Sequence, residues 1–520
     1  MSENKTSKKQ LAVHSNVLKT AIGTVFGTAT LVCIHHRYRR QQQADARLQD
    51  YLTGLRYQLR SLAVSPDLTL NRLQHTYQQA VSSYKNYPKD SLATLNRSSD
   101  HYDIAKRHTT VMLARPICWV SGVSSMPKPM SSTLAKVSIS EKSISPERNS
   151  EPCCGVVGID ADRQIVWQTT MPERVHDIVV QPNASQCSDS ENRDVIVMGR
   201  RPSESFWVLD TATGQVKHAI KAAADRHFYG HACYSLDGSQ LYVTENDTVT
   251  LNGKIGIYDV NDSCQKVAEF DSYGIGPHEL LMHPNSETLI IANGGIKTEQ
   301  ASRDELNLDS MRPSLVYLNR HNGELLEQII PEHNQMSIRH LAMHDDGTVM
   351  IGIQFQGERH INVPLVLTHS RGDSEFKPLI MPNNQWQRFH QYIASVAVDS
   401  EKNQLCVTTP IGGCAAIYDL TTRKLIDAVN LPDCAGASIL TNSATTSAIF
   451  NTSANGSAND ENYTNDISSG FIVSDGQGQL TTLRTKSMAL DDSADEEVSG
   501  RIIQNSQHHK MSFDNHLQAL

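Results

Sequence analysis

The chain has 520 residues, 20% of them charged, and a formal net charge of −9. With 47 basic against 56 acidic side chains and aromatics at 6%, it lacks the concentrated positive charge and stacking residues of a nucleic-acid binder, so nucleic acid is not an expected partner. Ten cysteines in such a length, with no C-x-x-C pair, exclude a disulfide scaffold and speak against zinc-ribbon and thioredoxin-type sites.

Lys5, Lys8, Lys9 and Lys19 precede Thr20 to Ile34, a run of 15 uncharged and mostly apolar residues, and "HHRYRR" follows at once. A spanning helix takes about 20 such residues and a signal-peptide core about 7–15. No small-residue cleavage site adjoins the run, where charge resumes at once. Residues 1–40 are therefore expected to be a poorly cleaved export signal acting as a membrane anchor, which places the protein in the periplasm, attached to the inner membrane. Basic flanks on both sides leave the orientation open.

Residues 41–120 are expected to form a helical spacer. Leu48, Leu52, Leu55 and Leu59 recur at helical spacing, and a second helical stretch stops before Pro88. Residues 121–152 are rich in Ser, Pro and Lys and are expected to be a flexible linker.

From residue 153 to 520 the pattern changes to short β-rich runs bounded by Asp, Asn, Gly or Pro. "VIVMG", "FWVLD", "KIGIYDV", "TLIIANG", "SLVYLN" and "CAAIYDL" are examples. The segments "VHDIVVQP", "GHACYSLDG", "PHELLMHP" and "RHLAMHDDG" align His176, His231, His278 and His340, in steps of 55, 47 and 62 residues. "IASVAVDS" continues the series at Ser395, "AGASIL" at Ala437 and "FDNHL" at His516. Strand-closing pieces recur as well: "FWVLDTATGQ", "IGIYDVNDSC", "LVYLNRHNGE" and "AAIYDLTTRK". A four-strand unit repeating every 40–60 residues or so is a propeller blade. Seven ring positions predict an all-β, seven-bladed propeller, its last blade built from both chain ends so that no strand edge stays open. The Ser-, Asn- and Thr-rich stretch at about 441–467 reads as a loop insertion.

The stretches "FYGHACYSLDGSQLYVTEND", "YGIGPHELLMHPNSETLIIANGGI", "SIRHLAMHDDG" and "GFIVSDGQGQL", with the final "FDNHL", resemble the domain of unknown function 1513 family over roughly residues 153–520. The resemblance implies an exported bacterial propeller, similar to the propeller chain of quinoprotein amine dehydrogenases. It also implies partners among the imelysin-type iron-uptake components whose gene clusters such proteins often share. Two departures stand out. Lys8-Lys9 replaces the twin arginine of the family's usual export signal, and residues 41–152 intervene before the propeller. The family carries no established activity.

Innermost propeller strands line the central channel, so equivalent positions face one another around the axis. Imidazoles from His176, His231, His278, His340 and His516 would converge there, able to hold a transition metal or to hydrogen-bond an anion. Glu279 could add an oxygen ligand or orient a histidine. Arg226, Arg312 and Arg339 could neutralise an anionic ligand. Neighbouring blades are the better metal candidates across a wide channel, His231 with His278 first. The alternative is that the histidines only satisfy buried groups between blades. Since no nucleophile–base set is recognisable, a ligand-, metal- or partner-binding protein is the leading expectation. An oxidoreductase-like or lyase-like enzyme is the alternative, and an interaction scaffold the third.

Overall fold

The computed structural model describes residues 110–111, 116–127, 153–182, 193–201, 203–298, 305–440, 470–486 and 501–520. The propeller lies in the compact unit formed by Thr94–Lys297 and Asn307–Leu520. Seven antiparallel sheets make it, six of four strands and one of five. We number the blades in chain order. Blade 1 spans residues 175–221, blade 2 226–271, blade 3 277–329, blade 4 336–378, blade 5 395–430 and blade 6 434–508. Blade 7 joins the two ends of the described chain.

In each of blades 1 to 6 the first strand is innermost and the chain steps outward by hairpins. The recurring Asp or Asn at the end of the third strand has a local reason. Its side chain accepts a backbone N–H two or three residues on and folds the hairpin. Asp210 Oδ1 accepts from Thr213 N at 2.9 Å, Asp259 Oδ1 from Asn261 N at 2.9 Å, Asn319 Oδ1 from His321 N at 2.9 Å and Asp419 Oδ1 from Thr421 N at 2.7 Å.

Burial follows the order of strands. Thr288–Asn293 and Val349–Phe355, second strands of blades 3 and 4, are buried at every residue. Gln265–Asp271, the outer strand of blade 2, contains no buried residue. Blade faces pack on one another through aliphatic and aromatic clusters. One joins Val120, Val156 and Trp167 of blade 7 to Val175, Val197 and Trp207 of blade 1.

Blade 7 differs from the sequence expectation. Ser512–Ala519 is its innermost strand, and Ile117–Met126 comes next, ahead of Cys153–Asp160 and Ile165–Thr170. Trp119 pairs with Ala519, Val120 with Gln518, Ser121 with Leu517 and Val123 with Phe513. Residues 117–126 are thus strand where spacer and linker were expected, and Thr110–Val111 pairs on the blade's outer edge. "ICWVSGVSSM" was hidden by its Ser content, yet Trp119, Val120 and Val123 have no exposed surface. The rest of the spacer and linker, the Thr20–Ile34 run and the insertion at about 441–467 lie outside the described residues. Among the described residues no helix is long and apolar enough to cross a membrane.

Candidate functional site: a histidine cluster on the propeller axis

The ring positions share a backbone device. Pairing of the innermost strand with its neighbour breaks between Val175 and Ile178 in blade 1, Pro277 and Leu280 in blade 3, and Ile338 and His340 in blade 4. In blade 2 the break falls between Phe228 and Ala232, and in blade 7 between Phe513 and Leu517. Each of these breaks holds or adjoins a ring histidine, and blade 6 has one too, between Cys434 and Gly436, beside Ala437. Such bulges bend the strand and re-aim its side chains. The inner strand of blade 5, which carries Ser395, pairs without a break.

Five imidazoles meet as a result. Ring centroids are 4.6 Å apart for His176–His231, 4.4 Å for His231–His278 and 4.9 Å for His278–His340. His516 lies 5.1 Å from His176, 5.0 Å from His231 and 5.5 Å from His340. Two sets of three, each with nitrogens within 4.8 Å of one another, share His231: His176, His231 and His278, and His231, His340 and His516. The second set draws on blades 2, 4 and 7, none adjacent to another. Neighbouring blades bring His231 and His278 to 4.4 Å, and rings from non-adjacent blades meet as well, because they reach inward from their strands far enough to meet across the axis.

Two carboxylates stand behind the rings. Glu279 Oε2 accepts from His340 Nδ1 at 3.1 Å and from the Leu341 N–H at 3.0 Å. Asp177 Oδ2 lies 3.2 Å from His231 Nδ1 and accepts the Ala232 N–H at 3.4 Å, while its Oδ1 lies 3.5 Å from His516 Nδ1. Each carboxylate follows a ring histidine on one blade and meets a ring histidine on the next. His278 Nδ1 meets the Arg339 carbonyl at 3.0 Å. Neither ring nitrogen of His231, nor Nε2 of His516, has an aligned hydrogen-bond partner, although all three atoms are buried.

Electrostatics favour neutral rings at His176, His278, His340 and His516. Burial, then the neighbouring imidazoles and the Arg200 and Arg339 guanidiniums, hold His176, His278 and His340 well below the ordinary imidazole value. Burial above all pushes His516 down to about 3 against the pull of Asp177. Burial, with Asp177 near, pushes Glu279 up to about 8. For Asp177 burial acts upward but is outweighed by His231, His516 and the Ile178 N–H, so its carboxyl sits below the usual range. A neutral imidazole with a bare nitrogen is the form that binds a metal.

The arginines are placed differently from one another. Arg339 is 9% exposed, and its Nε donates to Ser337 Oγ at 2.8 Å. Arg312 is exposed, ahead of the third strand of blade 3, and is not part of the cluster. Arg226 is engaged by Glu269 at 2.9 and 3.0 Å and by Asp247 at 3.3 Å, so it is no free anion ligand. Asp177 was missed by sequence reasoning. The signal was present, since it follows His176 as Glu279 follows His278.

Fold and cluster together define a seven-bladed β-propeller with an axial imidazole centre. The chain belongs to the DUF1513 family, proteins of unknown function, whose model matches residues 169–468. Among solved structures it is similar to the hydrazine synthase of Kuenenia stuttgartiensis at 17% identity, covering 51% of this chain and 70% of that one, with a TM-score of 0.39. No curated protein matches the chain.

Proposed function

We propose that this protein is a binding propeller that holds a transition-metal ion on its axis. The observation that supports this most is the meeting of five imidazoles, with His231 common to two sets of three whose nitrogens lie within 4.8 Å. Imidazole suits zinc, copper, iron and nickel alike. Binding fits better than catalysis, because Asp177 and Glu279 are spent on ring nitrogens and backbone N–H groups. Export to the periplasm, attachment to the inner membrane by residues 1–40, and a role in iron acquisition beside iron-uptake components complete the proposal. These rest on the basic-flanked apolar run and on the family's resemblance.

The test is metal analysis of the full-length protein, purified without a polyhistidine tag, beside His231→Ala. One tightly held ion per chain, lost in the variant while its metal-free melting is unchanged, is the expected result. A metal content that His231→Ala leaves untouched would place the ion elsewhere and defeat the proposal.

A further inference from the structure

We propose that the metal seat is the tripod of His231, His340 and His516, oriented by Asp177 and Glu279, and that it keeps an open coordination position toward Ser395 and Ala437. This rests on the metal-binding reading above and deepens it.

Two observations separate this set from the one formed with His176 and His278. First, each of its three Nδ1 atoms has a carboxylate oxygen behind it, at 3.2 Å for His231, 3.1 Å for His340 and 3.5 Å for His516. A carboxylate beside Nδ1 favours the tautomer that leaves Nε2 bare and raises its basicity, the arrangement that metal-ligating histidines use; at His340 the contact is an aligned hydrogen bond that also fixes the ring. In the other set His278 has a backbone carbonyl there instead. Second, Nε2 of both His231 and His516 is buried without a partner, a cost that a metal bond would remove. The spacing is a property both sets share: three nitrogens on one metal at bonds of about 2.0–2.1 Å lie about 3.3–3.6 Å apart, so nitrogens within 4.8 Å must close inward by up to about 1–1.5 Å on binding.

The ring order supplies the open position. Between blade 4, which carries His340, and blade 7, which carries His516, stand blades 5 and 6. They present Ser395 and Ala437, each 7% exposed, where the other five blades present imidazoles. Three protein ligands with an unfilled side is the pattern of a metal that accepts an exchangeable ligand, not of a closed structural site. The ligand class is a small donor such as water or a monoatomic or linear anion.

Cobalt(II), added to the full-length protein after EDTA treatment, is the probe, because its visible bands report coordination and ligand exchange. The wild type is expected to bind one cobalt whose bands shift on addition of azide. His340→Ala and His516→Ala should weaken cobalt binding by about 100-fold, and His176→Ala by no more than about 5-fold. Ser395→His should keep cobalt but lose the azide shift. Should His516→Ala fail to fold, His516→Gln serves in its place. If His176→Ala weakens binding as much as His516→Ala does, the other three-histidine set is the seat and this inference is overturned. A bound cobalt indifferent to azide overturns the open position. No cobalt bound by the wild type defeats the metal reading itself, a result distinct from both.

Discussion

Glu279 accepts a hydrogen bond from Nδ1 of His340 at 3.1 Å, across the boundary between blades 3 and 4. Its other contact, the Leu341 N–H at 3.0 Å, pins the carboxylate to the strand that carries that histidine. The pair ties the ring's orientation to blade packing. Glu279→Gln keeps an acceptor but can no longer ionise beside a bound cation, so metal binding should weaken about 10-fold, and Glu279→Ala should approach 100-fold. Competition titration against a chelating dye measures both. Wild-type affinity in Glu279→Ala would show that the carboxylate does nothing for the metal.

Gly230 tests the bulge that positions the cluster. Its φ is +115°, and a Cβ there would stand 2.5 Å from Cδ2 of His176. Gly230→Ala should lower stability by about 1–3 kcal/mol through backbone strain and contact. Gly122→Ala is the control, since its nearest neighbours would lie at 3.4 Å, an ordinary contact. Thermal melting of the two variants gives the comparison, and equal melting temperatures would contradict it.

Closure of the ring depends on residues 117–126. A chain begun at Cys153 lacks the strand that pairs with Ser512–Ala519, and it is expected to lose cooperative unfolding. Phe513 is 3% exposed and packs with Trp119, Val123 and Leu517. Phe513→Ala should cost about 3–5 kcal/mol. Urea titration of the full-length variant checks the second expectation, and calorimetry of the shortened chain the first. A sharp wild-type transition in the shortened chain would remove Ile117–Met126 from the closure.

His227 makes a prediction about pH away from the axis. It has no exposed surface, and neither ring nitrogen has a partner. Burial, then the Arg201 guanidinium, pushes it down to about 4. Its folded value lies below its unfolded one, so its contribution is present above about pH 6.5 and is lost as pH falls through about 4. His227→Phe removes that proton uptake. Between pH 6.5 and 4 the variant should lose less stability than the wild type, as urea midpoints at several pH values would reveal. Parallel losses would mean His227 takes no part in the acid limb.

Much of this was legible in the chain. The repeat of His176, His231, His278 and His340 marked the inner strands because a propeller returns the same face to the axis once per blade. The closing role of Ser512–Ala519 followed from a blade short of an inner strand. Two things were not legible. Ile117–Met126 carries three serines in ten residues and sits apart from the repeat, so its burial depends on a C-terminal partner nearly 400 residues away in sequence, as the Ser124–Ser512 bond between them shows. The convergence of His231, His340 and His516 from non-adjacent blades depends on bulges, which periodicity cannot register. Arg226 illustrates the same limit. Its charge suggested an anion site, but Glu269 and Asp247 meet it on its own blade.

X-ray absorption of the zinc-loaded, full-length protein tests the central claim most directly. The account predicts one zinc per chain, with a first shell of nitrogen and oxygen at about 2.0–2.1 Å and the outer-shell scattering of three imidazoles. A sulfur shell at about 2.3 Å would place the metal on cysteines instead. That result, or a protein that holds no stoichiometric zinc, would contradict the axial site.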